Sequence, residues 1–243
     1  MTAPALEVTD LHTGYGDLKV IYGISFSVEP GKVIAILGRN GAGKTTALRA
    51  ISGLNPANTG KILLDGEDIT TVPAHKRISK GLAYVQEGKR VFRQRTVEEN
   101  LVIGALSVKI SRNELNARIE EAYDRFPILR EKRRDHASGL SGGQQQMLAI
   151  AQALMSRPKV LLLDEPSGGL APTIVGDVLN TVKALVADGL TVVLVEQAMG
   201  FALALADDVI VMDLGRSVLS GSTADEGIGE AIEQAYFNRV EVS

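Results

Sequence analysis

Cysteine is missing altogether from the 243 residues. That excludes a disulfide framework and thiolate metal sites, and it allows a reducing compartment. A strong charge of either sign is missing too: 26 Lys and Arg stand against 29 Asp and Glu, a formal net charge of -3. Sequence-independent nucleic-acid binding rests on clustered cations, so no nucleic-acid partner is expected. Apolar runs such as Val160–Leu163 and Val192–Val195 are strand-sized, whereas a membrane helix needs about 20 apolar residues. The opening Met1-Thr2-Ala3-Pro4-Ala5-Leu6-Glu7 has no basic region followed by an apolar stretch, which speaks against a secretory signal. The chain is expected to be soluble, with any membrane role exercised through a partner. His12, His75 and His136 lack metal-ligand spacing and read as ordinary surface or hydrogen-bonded side chains. No tandem repeat or low-complexity linker divides the sequence.

What is present is apolar bulk, 45% of the residues, enough for a packed core. The length fits one large α/β domain or two small lobes. Leu6, Val8, Ile21, Ile24, Phe26 and Val28 alternate as in half-buried strands. Val33–Leu37 is a β-rich run of buried-strand type, Gly60–Leu64 and Leu82–Val85 are further strands, and Lys44–Ser52 and Pro73–Lys80 read as helices. From Val97 to Met155 strand signals vanish. Leu115, Ile119, Ala122 and Phe126 share one face of a helix over Glu114–Phe126, and Gln144–Met155 reads as another. Alternation then resumes: strands at Val160–Leu163, Thr191–Val195 and Val209–Met212, helices at Pro172–Ala187 and Met199–Ala206. Ile228–Phe237 reads as an edge-packing helix. Alternating β and α units imply a mostly parallel sheet covered on both faces, interrupted by a helical insertion.

Two motifs carry chemistry. Gly38-Arg39-Asn40-Gly41-Ala42-Gly43-Lys44-Thr45 matches the phosphate-loop pattern and lies between a buried strand and a helix, the context such a loop requires. Glycines let successive N–H groups converge on a phosphate, the following helix adds its positive end, Lys44 adds a mobile charge and the Thr45 hydroxyl can ligate Mg²⁺. Asp164 and Glu165 end the strand Val160–Leu163. Ligands of open parallel sheets bind at that edge, where Asp164 can hold Mg²⁺ through water and Glu165 can polarise an attacking water. An acid before Pro166 is equally a helix cap when taken alone; the phosphate loop upstream favours the chemical reading.

With Leu140-Ser141-Gly142-Gly143-Gln144 standing between those two motifs, the sequence resembles an ABC-transporter ATPase over roughly Leu6 to Gly221. The resemblance implies a P-loop NTPase of the α/β class: a mostly parallel sheet core, an N-terminal antiparallel β portion and an inserted α-helical subdomain. It implies one ABC ATPase domain over residues 1–243, with 1–86 and 156–243 as the nucleotide-binding core and 87–155 as the helical subdomain. ATP and Mg²⁺ are the implied ligands. Ser141, Gly142, Gly143 and Gln144 then grip the γ-phosphate of ATP held by an opposite subunit, for which a serine and two glycines at a helix start make an anion site. Tyr15 matches the aromatic that stacks on adenine, and Thr46 follows the phosphate loop. Gln86 matches the glutamine that reaches Mg²⁺ and the attacking water. Pro166–Ala171 matches the loop that crosses to the partner's site. Lys44, Gln86, Glu165 and Gln197 are the implied catalytic set, and Thr45, Gln86 and Asp164 the implied metal ligands. Gln197 stands where the broad family carries histidine.

A narrower resemblance rests on Glu87-Gly88-Lys89-Arg90-Val91-Phe92, Thr96-Val97-Glu98-Glu99-Asn100-Leu101, Gly169-Leu170-Ala171-Pro172 and Leu194-Val195-Glu196-Gln197. These look like the ATPase subunits of branched-chain amino-acid importers and their urea and amide relatives. Implied partners are membrane-spanning subunits, a second ATPase chain, identical or different, and indirectly a periplasmic or lipid-anchored binding protein. The implied location is peripheral, at the cytoplasmic face of the inner membrane. Docking and simple solvation weigh equally for the basic cluster Lys89, Arg90, Arg93 and Arg95. Lipid or lipopolysaccharide export and non-transport ABC ATPases are the competing readings. Gln86 fits the broad family better than the subgroup, which often has proline there.

Overall fold

The computed structural model describes residues 3–237. β1 (Leu6–Tyr15) and β2 (Leu18–Val28) pair antiparallel, and β3 (Val33–Gly38) runs through the phosphate loop into α1 (Lys44–Ile51). β4 (Ala57–Leu64) and the short β5 (Glu67–Asp68) return to the first sheet, ordered β2-β1-β4-β5 and antiparallel throughout. α2 (Ala74–Ser79) leads to β6 (Leu82–Val85). Helices α3 (Val97–Gly104), α4 (Arg112–Arg125), α5 (Pro127–Glu131) and α6 (Gly142–Leu154) follow without an intervening strand. The chain continues through β7 (Val160–Asp164), α7 (Pro172–Ala187), β8 (Thr191–Glu196), α8 (Met199–Leu203), β9 (Asp208–Asp213), β10 (Arg216–Ser222) and α9 (Ile228–Phe237). The second sheet is ordered β10-β9-β3-β8-β7-β6 and is parallel except for β10. This is the expected α/β architecture.

The central strands read as unbroken apolar runs because both their faces are covered. Every residue of β3, β7 and β8 is buried. Alternate side chains serve different cores: Ala35, Leu37, Leu161, Leu163, Val192 and Leu194 pack with the helices, while Ile34, Ile36, Val160, Leu162, Val193 and Val195 pack toward the antiparallel sheet. α1 lies in that second core through Ala47, Leu48, Ala50 and Ile51, in contact with strands of both sheets.

Some elements differ from expectation, the short β5 and α5 among them. α3 is a helix where none is anticipated; Thr96 accepts the Glu99 N–H and Glu99 accepts the Thr96 N–H, a capping box that starts it. β10 is a polar edge strand whose sequence lacks apolar alternation. α8 stops at Leu203, short of the expected Ala206.

A buried guanidinium ties α1 to the β4–α2 region. Arg77, 3% exposed, donates from Nη1 to the carbonyls of Ala50 (3.0 Å) and Ile51 (2.6 Å), from Nε to Val72 (2.7 Å) and from Nη2 to Thr70 (2.8 Å). Burial pulls its pKa down to about 10, so it remains charged at neutral pH. It thereby satisfies carbonyls at the end of α1 that have no partner within the helix. Arg77→Ala is expected to cost about 2–4 kcal/mol and lower Tm by about 5–15 °C, with Arg77→Lys between the two because an ammonium cannot fork. A calorimetric melt of Arg77→Ala within a degree of the parent would refute this role.

Candidate nucleotide site

The phosphate loop is shaped by its glycines and closed by the first residue of α1. Gly43 sits at φ 99°, and a Cβ there would lie 2.7 Å from Ile21 Cδ1, so the position admits glycine only. Lys44, 4% exposed, donates from Nζ to the carbonyls of Gly38 (2.8 Å) and Arg39 (3.2 Å) and lies 3.2 Å from Glu165 Oε1. An ammonium has three protons, and three acceptors surround this one.

The register of the parallel sheet brings the second motif alongside. Asp164, 1% exposed, accepts the Thr45 hydroxyl on Oδ1 (3.0 Å) and the Tyr84 hydroxyl on Oδ2 (2.7 Å). Burial pushes the Asp164 carboxyl above its ordinary range, against the two hydroxyl bonds. Burial, then the neighbouring carboxylate, also pushes the Tyr84 phenol up, so Tyr84 stays a donor. The hydroxyl of Thr45 and the carboxylate of Asp164 are hard oxygen donors suited to Mg²⁺. Among the described residues no group of three or more His, Cys, Asp or Glu could hold a metal. The donor set therefore fits an ion that takes most of its oxygens from phosphate and water, as Mg²⁺ does.

Glu165 adopts φ 46°, left-handed backbone that costs a non-glycine residue about 1–2 kcal/mol. Its N–H donates to the Val195 carbonyl (2.9 Å) and its carbonyl accepts the Gly168 N–H (3.0 Å). The turn aims its carboxylate at Lys44 while Asp164 faces Thr45.

The remaining expected residues are dispersed around this centre. Tyr15 is 48% exposed, its hydroxyl 3.5 Å from Thr46 Oγ1. Gln197 is exposed just beyond β8. No hydrogen bond among the described residues joins Gln86 to Thr45 or Asp164; its side chain borders a groove of about 380 Å³ lined also by Tyr84, Arg90, Phe92, Ile103 and Gly104. At the start of α6, Ser141 Oγ accepts the Gln144 N–H (3.3 Å) and Gln144 Oε1 accepts the Ser141 N–H (2.9 Å). The Gln144 oxygen is thus committed to capping, while the Ser141 hydroxyl keeps its proton to donate. No hydrogen bond among the described residues links Ser141–Gln144 with the phosphate loop.

Three residues here escape the sequence reading. Tyr84 lies on a recognised strand, but its contact with Asp164 spans 80 positions. Glu196 lies just past the expected strand Thr191–Val195 and carries no role in the sequence reading; the structure adds it to β8, and its carboxylate accepts N–H groups of Ser167, Gln197 and Ala198. The Tyr236 hydroxyl, on α9, lies 3.2 Å from the Gln197 carbonyl oxygen and 3.4 Å from that of Gly38. A helix whose sequence suggests only edge packing thus also reaches the phosphate loop.

A family model described as ABC transporter matches residues 21–168. The high-affinity branched-chain amino acid transport ATP-binding protein BraG of Pseudomonas aeruginosa is 38% identical over 231 residues, covering 95% of this chain and 98% of its own length. The probable branched-chain amino acid transport ATP-binding protein LivF of Archaeoglobus fulgidus is 38% identical over 222 residues, covering 91% and 93%. A solved ATP-binding cassette of an ABC transporter, in its ADP conformation, superposes with a TM-score of 0.82 at 29% identity, covering 96% of each chain.

The start of α6 is packed without slack. A Cβ on Gly143 would lie 2.2 Å from Ile174 Cγ2 of α7. Gly143→Ala is therefore expected to displace α6, lowering Tm by about 3–8 °C. The double variant Gly143→Ala with Ile174→Ala should recover part of that loss, because it removes the clashing methyl. A double variant less stable than the sum of the singles would show that this contact is not the cause.

Proposed function

The chain belongs to the ABC transporter family, and on that premise we propose that it energises an importer of branched-chain or other hydrophobic amino acids. As a member of that family it is an ATPase and a subunit of a transporter complex. The cargo reading is supported by BraG and LivF, whose names place them in branched-chain amino-acid transport and which match along nearly the whole chain.

The observation that carries the chemistry is the convergence of Lys44, Thr45, Asp164 and Glu165 at one sheet edge. The loop N–H groups and Lys44 hold the phosphates. Phosphate oxygens compete with Glu165 for the Lys44 ammonium, and the carboxylate so released takes a proton from the attacking water. Thr45 and Asp164 hold Mg²⁺, which when bound neutralises phosphate charge. Gln86, just past the end of β6, is the proposed further contact to Mg²⁺ and the attacking water. Tyr15 stacks on adenine, and the Gln197 amide donates to the γ-phosphate. Ser141–Gln144, a serine and two glycines at a helix start, offers its anion site to the nucleotide of a second ATPase chain. Residues 1–86 and 156–243 act as the nucleotide-binding core and 87–155 as the helical subdomain. The groove beside Gln86 and Phe92 receives a membrane-spanning subunit, and a binding protein outside the membrane delivers the cargo. No helix among the described residues is long and apolar enough to cross a membrane. By its likeness to the transport ATP-binding proteins, the chain acts as a peripheral subunit on the cytoplasmic face.

Steady-state ATPase of the chain assembled with its membrane partners tests these roles. Lys44→Ala should lose ATP binding and turnover. Glu165→Gln should bind ATP and hydrolyse almost none. Gln197→Ala should slow turnover by about tenfold or less, the worth of one neutral hydrogen bond. Parental rates in Lys44→Ala or Glu165→Gln would reject the site. In source cells lacking the chain, uptake of labelled leucine should fall and be restored by the parent chain but not by Glu165→Gln. Unchanged leucine uptake with intact ATPase would reject the cargo alone.

A further inference from the structure

Glu196 is 2% exposed and ends β8 opposite Leu37 of β3. A carboxylate out of water needs charge compensation. Among the described residues no Lys or Arg supplies it by an ion pair; peptide N–H groups do. Oε1 accepts from Ser167 (3.0 Å), and Oε2 accepts from Gln197 (3.1 Å) and Ala198 (3.2 Å). Ser167 lies in the loop that leaves Glu165, and Gln197 and Ala198 form the turn that leaves β8. These two loops are 29 positions apart and share one side chain. The Gln197 peptide is also flanked on its carbonyl side by the Tyr236 hydroxyl at 3.2 Å.

We propose that Glu196 is a positioning residue for ATP hydrolysis, locking the Gln197 turn and the Ser167 loop into one register so that neither moves alone. The proposal rests on the roles given above to Gln197 and Glu165. Its carboxylate accepts three peptide N–H groups and acts through them. Contact between Gln197 and a phosphate is thereby felt at the loop that follows Glu165, and a shift of that loop is felt at Gln197. Charge matters as well as shape. An amide in place of the carboxylate turns one acceptor into a donor, and whichever way it is flipped at least one peptide N–H faces an N–H₂ group.

The test compares Glu196→Gln and Glu196→Asp with the parent in the assembled complex, reading KM and kcat separately, with melting curves for both. Glu196→Gln should keep KM for ATP within about twofold and lower kcat by about tenfold or more, because binding depends on the phosphate loop and turnover on the two held loops. Glu196→Asp keeps the charge but loses a methylene of reach, and should fall between. Adding Gln197→Ala to Glu196→Gln should lower kcat by no more than about twofold further, since both act through one element. Parental kcat in the folded variants, or losses that multiply in the double variant, would overturn the proposal. If Glu196→Gln does not fold, Glu196→Asp decides alone: a lowered kcat at unchanged KM supports the role, and a parental kcat overturns it. A parent complex without ATPase activity would instead overturn the functional reading beneath it.

Discussion

Parallel hydrogen bonding sets Leu37 of β3 opposite Glu196 of β8, and Val195 of β8 opposite Asp164 of β7. Three strand ends are thereby brought level, and the phosphate loop, the acidic pair and the Gln197 turn leave from a single edge. Ligand sites of open parallel sheets form at such edges because consecutive loops diverge there around shared space. The register is pinned by burial on both faces. A slip of one residue would exchange the two core-facing sets along a whole strand, sending Ala35 and Leu37 toward the antiparallel sheet and Ile34 and Ile36 toward the helices.

Three charged side chains are buried at that edge, and each is satisfied differently. Lys44 combines two carbonyls with a carboxylate. Asp164 accepts two hydroxyls, and burial raises its pKa against them. Glu196 relies on peptide N–H groups. A buried charge costs several kcal/mol unless it is paired or hydrogen-bonded, so each of these residues constrains the groups that serve it. The pairing of Lys44 with Glu165 is of a different kind: it joins two groups that phosphate would pull apart.

Much of this is legible in the chain itself. The phosphate loop, the acidic pair and the start of α6 are local patterns, and each is complete within a few residues. The central strands are legible because two-sided burial writes itself as an apolar run. α4 is legible from one face: Ile119, Ala122 and Phe126 are buried and Leu115 is partly buried. Tyr84, Arg77, Glu196 and Tyr236 are not legible as site or structural residues, for a common reason. Each acts on at least one partner brought near only by the topology, and the Tyr236 hydroxyl approaches a carbonyl 198 positions away. β10 escapes notice because an edge strand needs no apolar face. α3 escapes it although its Thr96 and Glu99 capping pair stands in the sequence; a helix of eight residues offers little periodicity to count.

α1 sits inside a core shared by two sheets, with Ala47, Leu48, Ala50 and Ile51 buried. Its first turn cannot roll or fray without exposing them, so the loop Gly38–Thr45 is fixed at both ends, by β3 and by α1. Immobilising a flexible backbone costs about 1–2 kcal/mol per residue. A loop of that length, ordered only when nucleotide arrived, would forfeit most of the affinity its N–H groups can supply. Here the anchoring at both ends is made when the polypeptide folds, so that part of the entropy is lost before any phosphate arrives.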